Sequence, residues 1–327
     1  MFKINRYILS FKLIIFIIIS SLTLLIYNIN GKIINNLKDY RENNNKKNIN
    51  QKIKYDSKMQ INKKCYLNLD NSSLKIIHFI ITRFMMDFGI YKKKDIIYGK
   101  EYILNGIRVM KKYLFTSLEN QSCKNFTWIL LLGDKANATN IESLIKLNQS
   151  FNSKVLYQKE LKNYLRTITK DYNILITTRI DYDDAIYYDA VNDVRKIINI
   201  NKPIILHGYN RGVSYYEING KYYDFYNNWK NEGVMSVFAS LIINLKKVND
   251  TYTIFDTGCH YEIRKNILKW YKRFGVKEMN YEPAIFDNGD PKFIYVRQKF
   301  SGSYKIIIPQ MNPRNFELNT FYGNYSE

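Results

Sequence analysis

A chain of 327 residues with 46% hydrophobic and 15% aromatic content can bury one large core or two small ones, which excludes disorder along its whole length. Its 50 Lys and Arg against 29 Asp and Glu give +21, a balance that by itself points to nucleic acid or an anionic membrane surface. The excess is uneven: residues 1–64 hold 13 basic and 3 acidic side chains, a net of +10, and Lys, Asn, Ile and Tyr abound throughout. Charge beside an apolar segment favours the membrane, and no nucleic-acid partner is expected.

The first apolar segment runs from Tyr7 to Tyr27 (YILSFKLIIFIIISSLTLLIY), with Lys12 as its only charge. With Lys12 able to snorkel, it reaches the roughly 20 residues that span a bilayer. No small-x-small cleavage site follows it, so residues 1–30 are expected to be a retained transmembrane signal anchor. Lys3, Arg6 and Lys12 before the span are balanced by Lys32, Lys38 and Arg41 beyond it, which leaves the topology open. Seven Asn-x-Ser/Thr sequons follow the span and suit a lumenal domain, but 39 Asn in the chain produce several by chance. Residues 31–72 are polar and Lys/Asn-rich and read as a charged flexible stem. Cys65, Cys123 and Cys259 are too widely spaced for a CxxC metal site, and allow one bridge with one free thiol.

Folding is expected from residue 73 to about 315, with 316–327 as a C-terminal tail. Leu74 to Ile81 (LKIIHFII) is a buried-strand run, followed by a polar turn at Thr82 and Arg83. Ile103, Ile107, Met110 and Leu114 lie at helical spacing and predict a helix over 101–117. Phe126 to Leu132 (FTWILLL) is a second strand, 140–147 a second helix, and Asn173 to Thr178 (NILITT) a third strand. Strands separated by helices imply crossovers, hence an α/β fold with a mostly parallel central sheet.

The third strand leads into TTRIDYDDA, 177–185, where Asp181, Asp183 and Asp184 crowd three carboxylates into four residues. Ligands of open α/β sheets bind at strand carboxyl ends, and such crowding is unfavourable without a compensating cation. Mg²⁺ or Mn²⁺ bridging a diphosphate would supply it. The plain alternative is the acidic N-terminus of a helix through Ala185 to Ile198.

TTRIDYDDAI resembles the TRLDxDDA signature of the putative rhamnosyltransferase family, which is related to GT-A glycosyltransferases. Other segments match in order: HFIITRF at 78–84, SLENQSCKNFTWILLLGD at 117–134, VMSVFASLI at 234–242, Gly258 with His260, and PKFIYVRQKFSGS at 291–303. Phe293 stands where the family has Trp, and Gln298 and Lys299 replace its late His-Gly. The resemblance implies a GT-A-like nucleotide-sugar-binding fold. It further implies transfer of a sugar from a nucleotide-diphosphate donor to a hydroxyl of a glycan, lipid or protein acceptor. Asp181 would sit near the donor ribose or sugar, Asp183 and Asp184 would hold the metal, and Arg83 and Arg179 would face the nucleotide or its phosphates. A one-step inverting transfer also needs a carboxylate base. Asp256 is the candidate, with Asp287 behind it.

His260 is a candidate additional metal ligand, against the plainer reading of a polar-tipped turn residue. His78, alternating within an apolar strand, reads as a core histidine. HGYNRG at 207–212 reads as a loop whose glycines serve turns. Tyr215, Tyr216, Tyr222, Tyr223 and Tyr226 could stack on sugar rings, but half-buried strands explain them as well. Two rival functions remain: a non-catalytic carbohydrate- or surface-binding protein that kept the fold, and a basic nucleic-acid binder.

Overall fold

The computed structural model describes residues 65, 74–86, 98–145, 150–209, 211–226, 238–248, 250–257, 266, 269–270, 272–274, 284–286, 291–297, 314–317 and 321–322. The anchor at 1–30, the stem apart from Cys65, His260, Asp287, Gln298 and Lys299 lie outside these residues. Among the described residues no helix is long and apolar enough to cross a membrane.

The first strand, β1 (Ile76–Phe84), pairs in parallel with β2 (Thr127–Leu132) on one side and β4 (Ile174–Arg179) on the other. Beyond β2 lies β3 (Asn152–Tyr157). Beyond β4 come β9 (Ala239–Asn244), β6 (Ile204–Tyr209) and β10 (Ala284–Phe286), completing the order β10-β6-β9-β4-β1-β2-β3. Only β9 runs against its neighbours, so the seven-stranded sheet is mixed and mostly parallel, as the crossovers predict.

Both faces are covered, which is why β2, β4 and β9 read as nearly continuous apolar runs. On one face pack α1 (Lys100–Met110), a π-helical segment (Lys111–Phe115), α2 (Thr116–Glu119), α3 (Ala138–Ile145) and α5 (Ala190–Lys196). On the other, Leu161 and Leu165 of α4 (Gln158–Ile168) meet Phe79, Ile81, Ile129 and Leu131. The predicted helix over 101–117 is therefore real, but it runs from 100 to 119 through a π-helical turn. Ile107, Met110 and Leu114 face the large sheet while Val109 and Tyr113 face a second core.

That second core belongs to a four-stranded sheet in the order β5-β11-β7-β8, formed by β5 (Ala185–Ile186), β7 (Arg211–Tyr216), β8 (Lys221–Tyr226) and β11 (Phe293–Arg297). The tyrosine-rich stretch is a hairpin: Tyr215 and Tyr222 rings lie 4.7 Å apart, and Tyr216 and Tyr223 are both buried. HGYNRG is not an open loop, because His207–Tyr209 end β6 and Arg211 and Gly212 begin β7. Gly212 is required by close approach, since a Cβ there would collide with the Phe293 ring. Phe321 and Tyr322, within the stretch read as a tail, are buried in this second core. Cys65 and Cys123 form the one bridge that the cysteine spacing allows, closing a separation of 58 residues.

Candidate active site

The chain leaves β1 toward β2 and β3 on one side and reaches β4 on the other, so the strand order reverses between β1 and β4. A crevice opens at the carboxyl ends of such a strand pair. Arg83 lies near the end of β1 and Arg179 ends β4, with Ile81 opposite Arg179 in the ladder. Thr82 and Arg83 are thus strand residues, against the polar turn expected there: the Thr82 hydroxyl accepts Trp128 Nε1–H at 3.0 Å inside the core.

Beyond Arg179 the chain makes one more ladder bond, Ile180 N–H to Ile81 carbonyl at 3.2 Å, and then turns. The turn closes from Asp184 N–H to the Asp181 carbonyl at 3.2 Å and passes directly into β5, while α5 begins only at Ala190. The acidic cluster is a strand-to-strand turn and not a helix N-terminus.

Tyr182 fixes this turn. Its ring packs edge-on against Phe84 at 5.2 Å and near Tyr102 of α1, and Gly106 gives Phe84 room: a Cβ there would stand 2.5 Å from the ring. Just beyond Arg83, Met85 has a left-handed backbone with φ 55, and its carbonyl fills the space a Cβ at Gly133 would need. A left-handed methionine costs energy that the packing around it must offset.

Charge at these strand ends is unevenly matched. Asp181, partly exposed, is a carboxylate partner of both arginines, 3.8 Å from Arg83 and 3.4 Å from Arg179. Burial, then the neighbouring Arg179 charge, lowers the Arg83 pKa to about 10, with Asp181 acting in the opposite direction. Arg179 is 4% exposed and its Nε makes no hydrogen bond.

Asp184 is 1% exposed; its Oδ1 accepts Val296 N–H at 3.0 Å, and its Oδ2 has no hydrogen-bond partner. Burial drives its pKa well above the usual carboxylate range, with Asp183 and Asp181 adding to the push and the Val296 bond and Arg297 opposing it. A buried carboxylate oxygen with no donor is what a hard cation would satisfy. Asp183 is also buried. Among the described residues, however, no group of three or more His, Cys, Asp or Glu side chains is assembled to hold a metal.

Asp256 reaches the same end of the sheet from a 3₁₀ turn, Ile254–Thr257, that is tied to β4 by Ile254 N–H to Thr177 Oγ1 at 2.9 Å. Asp256 is exposed; its Oδ2 accepts both Thr253 N–H at 2.6 Å and the Thr253 hydroxyl at 2.9 Å. Arg83, Arg179, Asp181, Asp183, Asp184 and Asp256 therefore gather around the ends of β1 and β4. His260 and Asp287 lie outside the described residues.

Sequence reasoning missed Phe255, whose ring lies 4.8 Å from the Arg83 guanidinium and 5.7 Å from that of Arg179. It also missed the backbone link from Asp184 to Val296, which joins positions 112 residues apart. No local pattern announces either. His78 is the core histidine expected: Nε2 pairs with Thr178 Oγ1 at 2.7 Å, and burial, then Arg195 and His207, lower its pKa well below the usual value.

Several solved structures are similar to the chain at low identity. A putative nucleotide-diphospho-sugar transferase from Desulfovibrio desulfuricans G20 is 10% identical over 68% of this chain and 81% of its own, with a TM-score of 0.33. TarS 1–349 of S. aureus is 12% identical over 68% of this chain and 60% of its own, at 0.37. The inositol-1-phosphate CTP transferase of T. maritima is 11% identical over 68% and 89%, at 0.32. Scores of this size fix neither the fold nor the activity of this chain. No curated protein sequence matches it. Residues 84–243 match a family described as putative rhamnosyl transferase; Arg83, Asp256 and the 291–303 run fall outside the matched stretch. The matched stretch carries β4 and the whole acidic turn, and the likeness to that family is to a transferase.

Proposed function

We propose that the chain is a membrane-anchored GT-A-like glycosyltransferase that moves a sugar, rhamnose being the candidate its family suggests, from a nucleotide-diphosphate donor to an acceptor hydroxyl. The observation that carries this reading is the convergence of Arg83, Arg179 and Asp181–Asp184 at the carboxyl ends of β1 and β4, where the strand order reverses.

A donor of this class brings two phosphates and a leaving group whose charge grows as the glycosidic bond breaks. Arg83 and Arg179 would bind phosphate oxygens through guanidinium donors, which suit a planar, two-point grip. Asp181, lying between the arginines and solvent, would orient them and meet the donor ribose or sugar. Asp183 and Asp184 Oδ2 would hold Mg²⁺ or Mn²⁺; two carboxylates suffice because Mg²⁺ completes its shell with water and substrate phosphate. That ion would supply charge neutralisation of the diphosphate. Asp256 would take the acceptor proton on Oδ1, since Oδ2 is held by Thr253. Asp287 as a second carboxylate and His260 as a further metal ligand belong to the same reading. So do the anchor at 1–30, a single-pass membrane location, and a glycan, lipid or protein acceptor.

The test is incubation of the full chain in detergent with UDP-, GDP- and dTDP-sugars and MnCl₂. Donor hydrolysis or transfer is expected with at least one donor, lost on chelation and in Asp183→Ala. Turnover that survives Asp183→Ala would remove the acidic turn from the mechanism.

A further inference from the structure

Arg83 and Arg179 are like charges side by side, and the carboxylate between them sits 3.4 Å or more from either guanidinium. Phe255, half-buried on the 3₁₀ turn, also lies against the pair, within 6 Å of both guanidinium carbons at 4.8 and 5.7 Å.

The turn is built to hold that ring. Ile254 N–H bonds Thr177 Oγ1 on β4, Phe255 N–H bonds Thr253 Oγ1 at 3.2 Å, and Asp256 Oδ2 takes both Thr253 donors. An aromatic face compensates a guanidinium through its quadrupole and consumes none of the in-plane N–H donors. A second carboxylate in its place would occupy those donors and cancel the charge. A ring shared between two arginines therefore adds no negative charge to that of Asp181, which suits a ligand with two adjacent anionic groups.

We infer that Phe255 is a positioning residue for the Arg83–Arg179 pair, setting both guanidiniums to grip a diphosphate. The inference rests on the donor-site reading above. The plainer role is packing, since Phe255 also joins the apolar cluster containing Leu175, Leu241 and Ile254.

The two roles separate in a binding experiment with inorganic pyrophosphate at fixed MgCl₂, using the full chain in detergent. Phe255→Leu keeps an apolar side chain and removes the ring; pyrophosphate affinity is expected to fall about 5- to 30-fold, with Phe255→Tyr within about twofold of the parent. Phe255→Met, a second ring-free side chain, replaces the Leu variant if that one does not fold. Parent-like affinity in a folded ring-free variant, or an equal loss in Phe255→Tyr, overturns the inference, as does a parent that binds no pyrophosphate. Affinity lost in Phe255→Leu while donor turnover is indifferent to Asp183→Ala would remove the acidic turn from the mechanism and leave Phe255 in its role. Parent-like affinity in Phe255→Leu with turnover abolished by Asp183→Ala would do the reverse.

Discussion

Asp184 and Asp189 lie on the same short stretch of chain and are pushed in opposite directions. Asp184 is buried with one oxygen on Val296 N–H and the other on no donor, and its carboxyl titrates well above the usual range, chiefly through burial. Burial also works to raise the Asp189 pKa, but hydrogen bonds from Ser122, Asn192 and Lys196 outweigh it and hold the group below the usual range. Around Asp189 the corner is closed: Gln121 takes Val191 N–H and donates to the Tyr187 carbonyl, and Ser122 N–H bonds the Tyr188 carbonyl. Cys123, next in the chain, is bridged to Cys65. Burial alone thus does not separate the two carboxylates; the oxygen left without a donor on Asp184 does.

The largest separation between the two regions is expected in turnover. Asp183→Ala combined with Asp184→Asn should lower metal-dependent transfer about a hundred- to a thousandfold, as loss of a charge-stabilising contact to a leaving group does. Asp189→Ala, assayed per folded molecule with the same donor, should stay within about threefold, because it touches no reacting group. Equal losses would erase the distinction. Next in size is the bridge. Cys123→Ser opens a closure of 58 residues and should cost about 4 kcal/mol in denaturant unfolding, on the chain-entropy account. The apparent donor KM of the surviving folded fraction should not move; a shifted KM would bring the closed corner into the site after all.

Much of the acidic turn was legible in the sequence because both its signals are local. An apolar run, Ile174 to Thr178, announces β4, and three aspartates directly after it announce a charge problem. The helix over 101–117 was legible for the same reason, through Ile103, Ile107, Met110 and Leu114, although nothing in that spacing reveals the π-helical turn at Lys111–Phe115. Arg83 was identified but assigned to a turn, since Thr82 and Arg83 break an apolar run. What keeps them in the strand is Trp128, brought across from β2. Edge strand β3 exposes Asn152, Ser153 and Lys154, so it shows no buried-strand pattern. Of the second sheet only the tyrosine-rich hairpin was legible, as half-buried strands; β5 is two residues long and finds its partner in β11, from the far end of the chain. Phe255 and the Val296 link share that cause.

The smallest effect is also the sharpest test of the contrast, because its sign differs between the two aspartates. In Asp184→Asn the amide oxygen still accepts Val296 N–H while the disfavoured charge is gone. A carboxyl whose folded pKa is raised binds its proton more tightly in the folded chain. Its contribution is full at acid pH and is lost as pH climbs from the unfolded carboxylate range, about 4, toward the folded pKa. In EDTA at pH 7.5, Asp184→Asn should therefore melt about 2 °C above the parent, roughly 1 kcal/mol, with the gap closing toward about pH 4. Asp189, whose folded pKa is lowered, contributes stability above the unfolded range and loses it as pH falls through the folded pKa. Asp189→Asn should accordingly lose about 1–2 kcal/mol at pH 7.5 and less in acid. MnCl₂ should then raise the melting temperature of the parent and of Asp189→Asn but not of Asp184→Asn, since only the last lacks the oxygen charge that a hard cation needs. If both substitutions destabilise alike at pH 7.5 and Mn²⁺ stabilises both, Asp184 is a structural carboxylate like Asp189, and the acidic turn has to bind its cation through Asp181 and Asp183.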